Sequence, residues 1–578
     1  MQAKRILLER SATLPESPLL AKIRAGVIGD DTVIETPFGS RRVTYADYTA
    51  SGRALDFIEE FITSQVLPRY ANTHTESSGT GLQTTRLRED ARSFIKSAVN
   101  GDENTAVIFC GSGSTGAIDK IIGMMNLRLP ADLSKRFGLD QLIPDDQRPV
   151  IFIGPFEHHS NELPWRESIA DVVVIPQDSD GHIDLEILVK RLKEYSQRPL
   201  KIGSFSAASN VTGIVSDTHL ISQTLHEHGA LAFWDFAASA PYIDIEMNPR
   251  CSTHPLSYKD AIFLSPHKFI GGPSTPGLLI IRKELANNSV PDVVGGGTVA
   301  YVNEASHVYL KDVEHREEAG TPSIVESIRA GLVFKLKDSV GVETIRAYEH
   351  DFVRRAIEFL DSHENISVLG NKSADRLSIV SFTVSRTGDK FLHHNFVVAV
   401  LNDLFGIQAR GGCSCAGPYG HHLLGIDPAK SQDFEKEIDN GCEGIKPGWV
   451  RINFNYFVSE VVFEYVLRAI EMIADSGWKL LPQYIFDPLS GRWRHKDGAI
   501  EPALRLSDVV FDQRGMTYPQ ENKVADESQC AVYLEEAQRI LGALDQPDLT
   551  PTHLWQSATF EGLRWFDVAS DTAIAVRK

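Results

Sequence analysis

The chain has 578 residues, 42% of them apolar, which is enough to bury more than one core, so two to four structural units are expected. Its 77 acidic against 58 basic side chains give a formal charge of −19, which argues against nucleic acid as a partner because phosphate-backbone surfaces need a net basic field. No apolar stretch reaches the ~18 residues a membrane span needs, and the opening MQAKRILLERSATLPESP lacks a signal-peptide core, so a soluble, cytoplasmic protein with no membrane partner is expected. The six cysteines, Cys110, Cys251, Cys413, Cys415, Cys442 and Cys530, are too scattered for a disulfide framework, and any special one among them is special for its reactivity.

In chain order, residues 1–40 read as an N-terminal segment and 41–330 as a large domain. Within the latter, short apolar runs alternate with helical patterns: TAVIFC, PVIFIGP, DVVVIP, KIGSFSA, ALAFWD, AIFLS and GLLIIR. Continuous Val and Ile mark strands covered on both faces. SDTHLISQTLHEHG, between GIV and ALAFWD, reads as a helix with Asp217 or Thr218 as N-cap, Leu220, Ile221 and Leu225 as its buried stripe and Gly229 as its stop. Strand, helix, strand units build an α/β fold with a mostly parallel sheet, and ligands bind at the carboxyl ends of its strands. Residues 331–480 read as a smaller α+β domain, with helices at IRAYEHDFVRRAIEFLDS and FVVAVLNDLFG, an alternating strand at RLSIVSFTVS and a strand at WVRINFNYF. Residues 481–578 form a C-terminal extension of unassigned role, with one helix at AVYLEEAQRILGAL.

Several strand ends carry chemistry. TAVIFC leads into G-x-G-x-x-G at Gly111, Gly113 and Gly116, but a dinucleotide site needs an acidic strand end about 20 residues on, where LRLPADLSK stands instead. Hydroxyls at Ser114 and Thr115, beside backbone N–H groups at a helix start, suit a phosphate monoester; a plain Gly-rich turn remains open at this point. His158 follows PVIFIGP and could stack on a heterocycle, while Asp235 ends ALAFWD and could pair with a protonated ring nitrogen. Lys268 stands between AIFL and GLLII in a tight Gly- and Pro-rich connection, where a lysine partly out of water has a lowered pKa and can attack a carbonyl. Each residue alone has a bland reading, the Asp as an N-cap and the His as a satisfied core residue. Together they describe a pyridoxal 5'-phosphate site.

From VTYADYTASGRAL to WVRINFNYF the chain resembles the class V aminotransferase superfamily of fold-type I pyridoxal phosphate enzymes, and within it the cysteine desulfurase and selenocysteine lyase group. That resemblance implies a seven-stranded, mostly parallel sheet in the large domain. EHHSNELPW, similar to EHHAN-x-x-PW, makes His158 the stacking histidine. SAASNVTGIV places Asn210 near cofactor and substrate, and SPHK, similar to SGHK, makes Lys268 the lysine that carries the cofactor and moves the substrate α-proton, with Ser265 and His267 as phosphate ligands. REEAGTP, similar to FEAGTP, sends Thr321 to the neighbouring subunit's phosphate and so implies a homodimer. QARGGCSCAGP maps onto Arg410 as a substrate-binding residue and Cys415 as the persulfide-forming cysteine, and Arg451 onto the clamp for the substrate α-carboxylate. The implied reaction removes sulfur or selenium from cysteine or a related amino acid, with a sulfur-acceptor protein as a further partner.

The chain departs from the pattern in three places. Ala238 stands where desulfurases carry a glutamine, GPYGHHLLGIDPAKSQDFEKEIDNGCEGIKPG is inserted between Cys415 and Arg451, and the last hundred residues have no counterpart. Rival readings are a class V transaminase, an epimerase or C–S lyase working without a persulfide, and a non-catalytic cofactor- or metal-binding protein. The last draws on Cys413, Cys415, His421 and His422, although C-x-C followed by H-H lacks the usual zinc spacing, and no metal is expected.

Overall fold

A computed structural model describes residues 17–73, 75–250, 252–386, 390–498, 504–520, 523–549, 558–569 and 573–574; Cys251 and much of the expected N-terminal segment lie outside them. The seven apolar runs form one seven-stranded sheet in the order Thr105–Cys110, Gly277–Arg282, Ala261–Leu264, Leu231–Asp235, Lys201–Ser206, Val150–Ile153, Asp171–Val174. Gly277–Arg282 runs antiparallel to both its neighbours, and the remaining pairs are parallel. Side chains of successive residues point to opposite faces. Val107, Phe109, Phe152, Phe205 and Trp234 therefore enter one core, while Ile108, Ile151, Ile153, Ile202 and Phe233 enter the other. That double burial is why the inner strands are mostly apolar, while the edge strand Asp171–Val174 is half-buried to exposed.

The helix after GIV spans Thr218–Glu227, and Asp217 caps it by accepting from the N–H groups of His219 and Leu220. Its buried face differs from the expected stripe. Ile221 and Leu225 are buried, but Leu220 is only half-buried and Ser222 and Thr224 take its place. The Trp234 indole donates to Ser222 Oγ at 2.9 Å, so the sheet draws a hydroxyl inward where the apolar pattern favoured a leucine.

Beyond the long helix Ile324–Val340, which packs against Gly79–Ala98, a four-stranded antiparallel sheet follows in the order Ile366–Val368, Ile379–Val384, Trp449–Asn453, Arg410–Gly412. Ile379–Val384, which reads as alternating, is buried at all but one position. Helix Val342–Asp361 covers one side, and on the other Ser381 Oγ donates to the Val211 carbonyl at 2.6 Å. A serine in a strand alternates on paper, yet with its hydroxyl satisfied it is as buried as its neighbours.

The inserted stretch folds as the helices Gly417–Leu423 and Pro428–Asp439 and the turn Glu443–Ile445. The C-terminal extension packs back on this region. Strands Tyr484–Asp487, Arg492–His495 and Ala573–Ile574 form a small sheet, and helix Gln529–Ala543 lies against Glu460–Ser476. Among the described residues no helix is long and apolar enough to cross a membrane.

Candidate active site

At the carboxyl ends of the parallel strands lies a cavity of about 970 Å³, and every candidate residue read from the sequence lines it: Ser114, Thr115, His158, Asn210, Asp235, Ser265, His267, Lys268, Thr321, Arg410, Cys415 and Arg451. The sequence segments that carry them come from both sheets and the loops between.

One end of the cavity is rich in donors. The helix Gly113–Met124 starts there, with Ser114 N donating to Ser265 Oγ at 2.8 Å and the two serine hydroxyls 3.2 Å apart. Gly113 has φ +55, and a Cβ on it would sit 2.6 Å from Ser265 Oγ, so glycine is what lets the helix start approach the strand end of Ala261–Leu264. The Thr115 hydroxyl lies 2.6 Å from Ser160 Oγ. Ser160 also ties His158: its N–H donates to His158 Nδ1 at 3.1 Å, which leaves Nε2 as the protonated ring nitrogen. Ser160 shows no signal in the sequence beyond its place two residues after His158.

The floor holds an acid and an amine. Asp235 is buried and accepts from the Ala237 N–H at 2.8 Å; burial pushes its carboxyl above the usual range, against that hydrogen bond and the nearby Lys268. Lys268 sits in the short turn Pro266–Lys268, and burial pulls its ammonium down to about 8 while Asp235 pulls it up. Burial, with help from Lys268, also holds His158 down at about 3 and His267 at about 4, so both rings are neutral near pH 7. Beneath His158, Glu157 accepts from the N–H and hydroxyl of Ser206 and from Asn161 Nδ2, and burial raises it to about 7. Ala238 is buried at the wall and offers no donor there.

Arg410 and Arg451 face each other directly across two antiparallel strands. Like charges in that register repel unless a counter-charge lies between them. Asp47 is that counter-charge, accepting from Arg410 Nε at 2.9 Å and Arg451 NH2 at 3.0 Å. Arg451 also donates through NH1 to the Asn210 carbonyl at 3.0 Å. Sequence reasoning missed Asp47, because nothing local in TYADYT points to a partner 404 residues away. Two buried atoms here, Arg451 Nε and Asn210 Oδ1, have no partner among the described residues.

Cys415 is exposed, on the turn after Arg410–Gly412. Ser414 and Cys415 both adopt the left-handed conformation, φ +52 and +57. For residues with a Cβ that costs about 1–2 kcal/mol each, and such strain persists only where surrounding bonds impose it. The Cys415 thiol shares the cavity with the buried Arg451 guanidinium. Cys413 instead packs against the core, and Cys442 is buried. His421 and His422 are spent on Ser431 and Gln177, and among the described residues no three His, Cys, Asp or Glu side chains gather as a metal site.

A helix start with serine and threonine hydroxyls, a buried carboxylate, a neutral imidazole and a low-pKa amine fit pyridoxal 5'-phosphate. They offer a phosphate cradle, a partner for the ring nitrogen, a ring to stack and a nucleophile for the aldehyde. Fold and donor set together define a fold-type I pyridoxal phosphate enzyme. The aminotransferase class-V family matches residues 44–427, and the chain belongs to that family. It is 26% identical over 390 residues to a probable cysteine desulfurase of Halalkalibacterium halodurans, covering 67% of this chain and 87% of that protein. It is 24% identical over 400 residues to a probable cysteine desulfurase of Halobacterium salinarum, covering 68% and 88%. Among solved structures it resembles the apo cysteine desulfurase of Thermococcus onnurineus NA1, with TM-score 0.62 and 23% identity over 81% of this chain and all of that one. The cysteine desulfurase CsdA (S-sulfonic acid) of Escherichia coli is similar at TM-score 0.59 and 18% identity, covering 79% and 98%.

Proposed function

We propose that this enzyme is a cysteine desulfurase, and the observation that carries the reading is an exposed thiol, Cys415, sharing one cavity with the amine of Lys268 and the guanidinium groups of Arg410 and Arg451. The Ser114, Thr115, Ser265 and His267 side chains would hold the phosphate of pyridoxal 5'-phosphate, Asp235 its ring nitrogen and His158 its ring face. When bound, that cofactor draws electrons from the substrate's Cα. Arg451 and Arg410 hold the substrate carboxylate, and Lys268 Nζ, neutral in part near its pKa of about 8, takes the α-proton. Cys415 attacks as thiolate, the nucleophilic form of a cysteine. Its Sγ bonds to the substrate sulfur, the substrate C–S bond breaks, and its electrons stay with the carbon fragment, which takes up protons and leaves as alanine. The persulfide left on Cys415 passes its outer sulfur to a reductant or an acceptor protein. A selenocysteine substrate would follow the same course.

The products formed from L-cysteine test this. With a thiol reductant the wild-type protein yields alanine and sulfide, and Cys415→Ala abolishes sulfide release without changing the absorption of the bound cofactor. If Cys415→Ala and wild type interconvert an amino acid and a keto acid equally well, the enzyme is a transaminase and the desulfurase reading falls. Arg451→Ala raises KM and slows turnover, because leaving Asp47 with one of its two partners and the substrate carboxylate without a fork costs about 2–5 kcal/mol.

The working unit in this reading is a cytoplasmic homodimer. Thr321 stands exposed at the cavity mouth, and the nearby Val293, Val294, Tyr301, Val302 and Val308 expose apolar surface that a second copy would cover. Sedimentation of the cofactor-loaded protein shows a dimer, and Thr321→Ala releases cofactor more readily on dilution. A monomer that retains cofactor tightly contradicts this assembly.

A further inference from the structure

The motif EHHSN contributes one histidine to the cavity, and the mechanism leaves the second, His159, without a task. It sits at the start of the turn His159–Asn161, which follows the strand Val150–Ile153, and its ring lies 6.3 Å from that of His158. Its bonds reach into the cysteine loop. The His159 N–H donates to the Cys415 carbonyl at 2.9 Å, and the Gly417 N–H donates to His159 Nε2 at 3.2 Å. One residue therefore grips the loop on both sides of Ala416. A third bond, from Asn210 Nδ2 to the Ser414 carbonyl at 2.8 Å, completes the hold.

These bonds fall on the strained part of the loop. Ser414 and Cys415 are consecutive left-handed residues bearing side chains, a pairing the chain does not adopt unaided. Gly411 and Gly412, which could take such a conformation freely, lie upstream, so glycine flexibility does not account for it. The groups that bond the loop, His159 and Asn210, follow the large-sheet strands Val150–Ile153 and Lys201–Ser206, whereas the loop continues from the strand Arg410–Gly412 of the small one. Because Nε2 accepts, the ring proton is on Nδ1, and the latch works only with a neutral imidazole presenting that nitrogen.

We propose that His159 is a positioning residue that latches the Cys415 loop to the strand end carrying His158, holding Sγ where the substrate sulfur will be. The part of this statement that concerns sulfur rests on the desulfurase reading above; the latch itself does not. Its test uses three variants of the full-length, cofactor-loaded protein. Gln at this position carries Oε1 where Nε2 stands and can accept from Gly417, Phe keeps the ring but has no acceptor, and Ala removes both.

Backbone hydrogen exchange, read by mass spectrometry on peptides covering 410–424, is the first measurement. In His159→Phe and His159→Ala the amides of 415–417 should exchange at least about tenfold faster than in wild type, while peptides covering Lys268 and Asp235 stay unchanged and His159→Gln stays near wild type. The second is the split of kinetic constants. Sulfide release from L-cysteine should lose about tenfold to a hundredfold in kcat in the Phe and Ala variants, with KM and the cofactor's absorption held and with recovery in Gln. Equal exchange in wild type and Phe, or identical behaviour of Gln and Phe, overturns the latch. Faster exchange with unchanged kcat overturns the positioning role. Exchange needs no turnover, so it decides the latch even if Cys415→Ala shows that the enzyme is not a desulfurase.

Discussion

At the scale of single residues, the site works by displacing ordinary acid–base behaviour. Burial draws the Lys268 ammonium down to about 8, against the pull of Asp235. The neutral amine, the form that attacks an aldehyde, then gains about tenfold per pH unit up to that value and saturates beyond it. Reloading of cofactor-free protein with pyridoxal 5'-phosphate, followed by visible absorption, should accelerate with pH up to about 8 and level off above it; a rate still climbing steeply past pH 9 would contradict the shift. Asp235→Asn removes the opposing pull and moves that midpoint lower. Asp47 answers a different problem, the direct opposition of Arg410 and Arg451. Asp47→Ala leaves two facing guanidinium groups uncompensated, one of them buried, and should cost on the order of 3 kcal/mol in urea unfolding as well as weakening substrate binding.

Among the elements, the edge of the large sheet depends on a buried ion cluster. Glu318 accepts from Arg88, from Arg92 and from the Phe109 N–H, tying the helix Gly79–Ala98 and the strand Thr105–Cys110 to the segment that leads to Thr321. The two arginines hold the Glu318 carboxyl below its ordinary 4.5, overcoming the effect of burial. A folded-state pKa below the unfolded one means that the stabilisation is complete above about 4.5 and is lost as pH falls through the lower, folded value. Glu318→Ala leaves both arginines buried and unpaired and should cost about 3–5 kcal/mol at neutral pH. Its deficit relative to wild type should shrink in acid, because wild type loses the same ion pairs there; a deficit independent of pH would point to packing instead.

For the whole molecule, the C-terminal extension is the largest departure from the family's pattern, and its described residues pack against the helices His394–Phe405 and Glu460–Ser476. Trp565 Nε1 donates to the Ile445 carbonyl at 3.0 Å, its ring stacks on His393 at 5.3 Å, and Phe566 meets the same imidazole edge-on at 4.7 Å. The Gly444 N–H donates to the Pro488 carbonyl at 2.8 Å. The extension thus grips the insertion where it returns toward Arg451. Phe566 is fully buried, so Phe566→Ala should cost about 3–5 kcal/mol. Limited proteolysis should then cut first within 417–447, ahead of the large sheet; uniform digestion would show that the extension does not specifically support the insertion.

The seven strands and their ends were legible in the sequence because both signals are local. A strand buried on two faces is rich in apolar residues, and a Gly-rich turn, a terminal Asp or a lone Lys next to such a run is visible within a few residues. That is how Ser114, Asp235 and Lys268 could be named from the chain alone; Asn210, Ser265, His267, Thr321, Arg410, Cys415 and Arg451 came from the family resemblance, and both sets line one cavity. Leu220 and Ile379–Val384 were misread because their burial is decided by a partner's hydroxyl bond or by a second packed layer, which residue-type patterns do not carry. Asp47 between two arginines, His159 on the cysteine loop and Trp565 on Ile445 were invisible for a related reason. Each joins residues far apart in the chain through one or two directional bonds, and such a bond exists only once strand register and loop path have brought donor and acceptor within about 3 Å of each other.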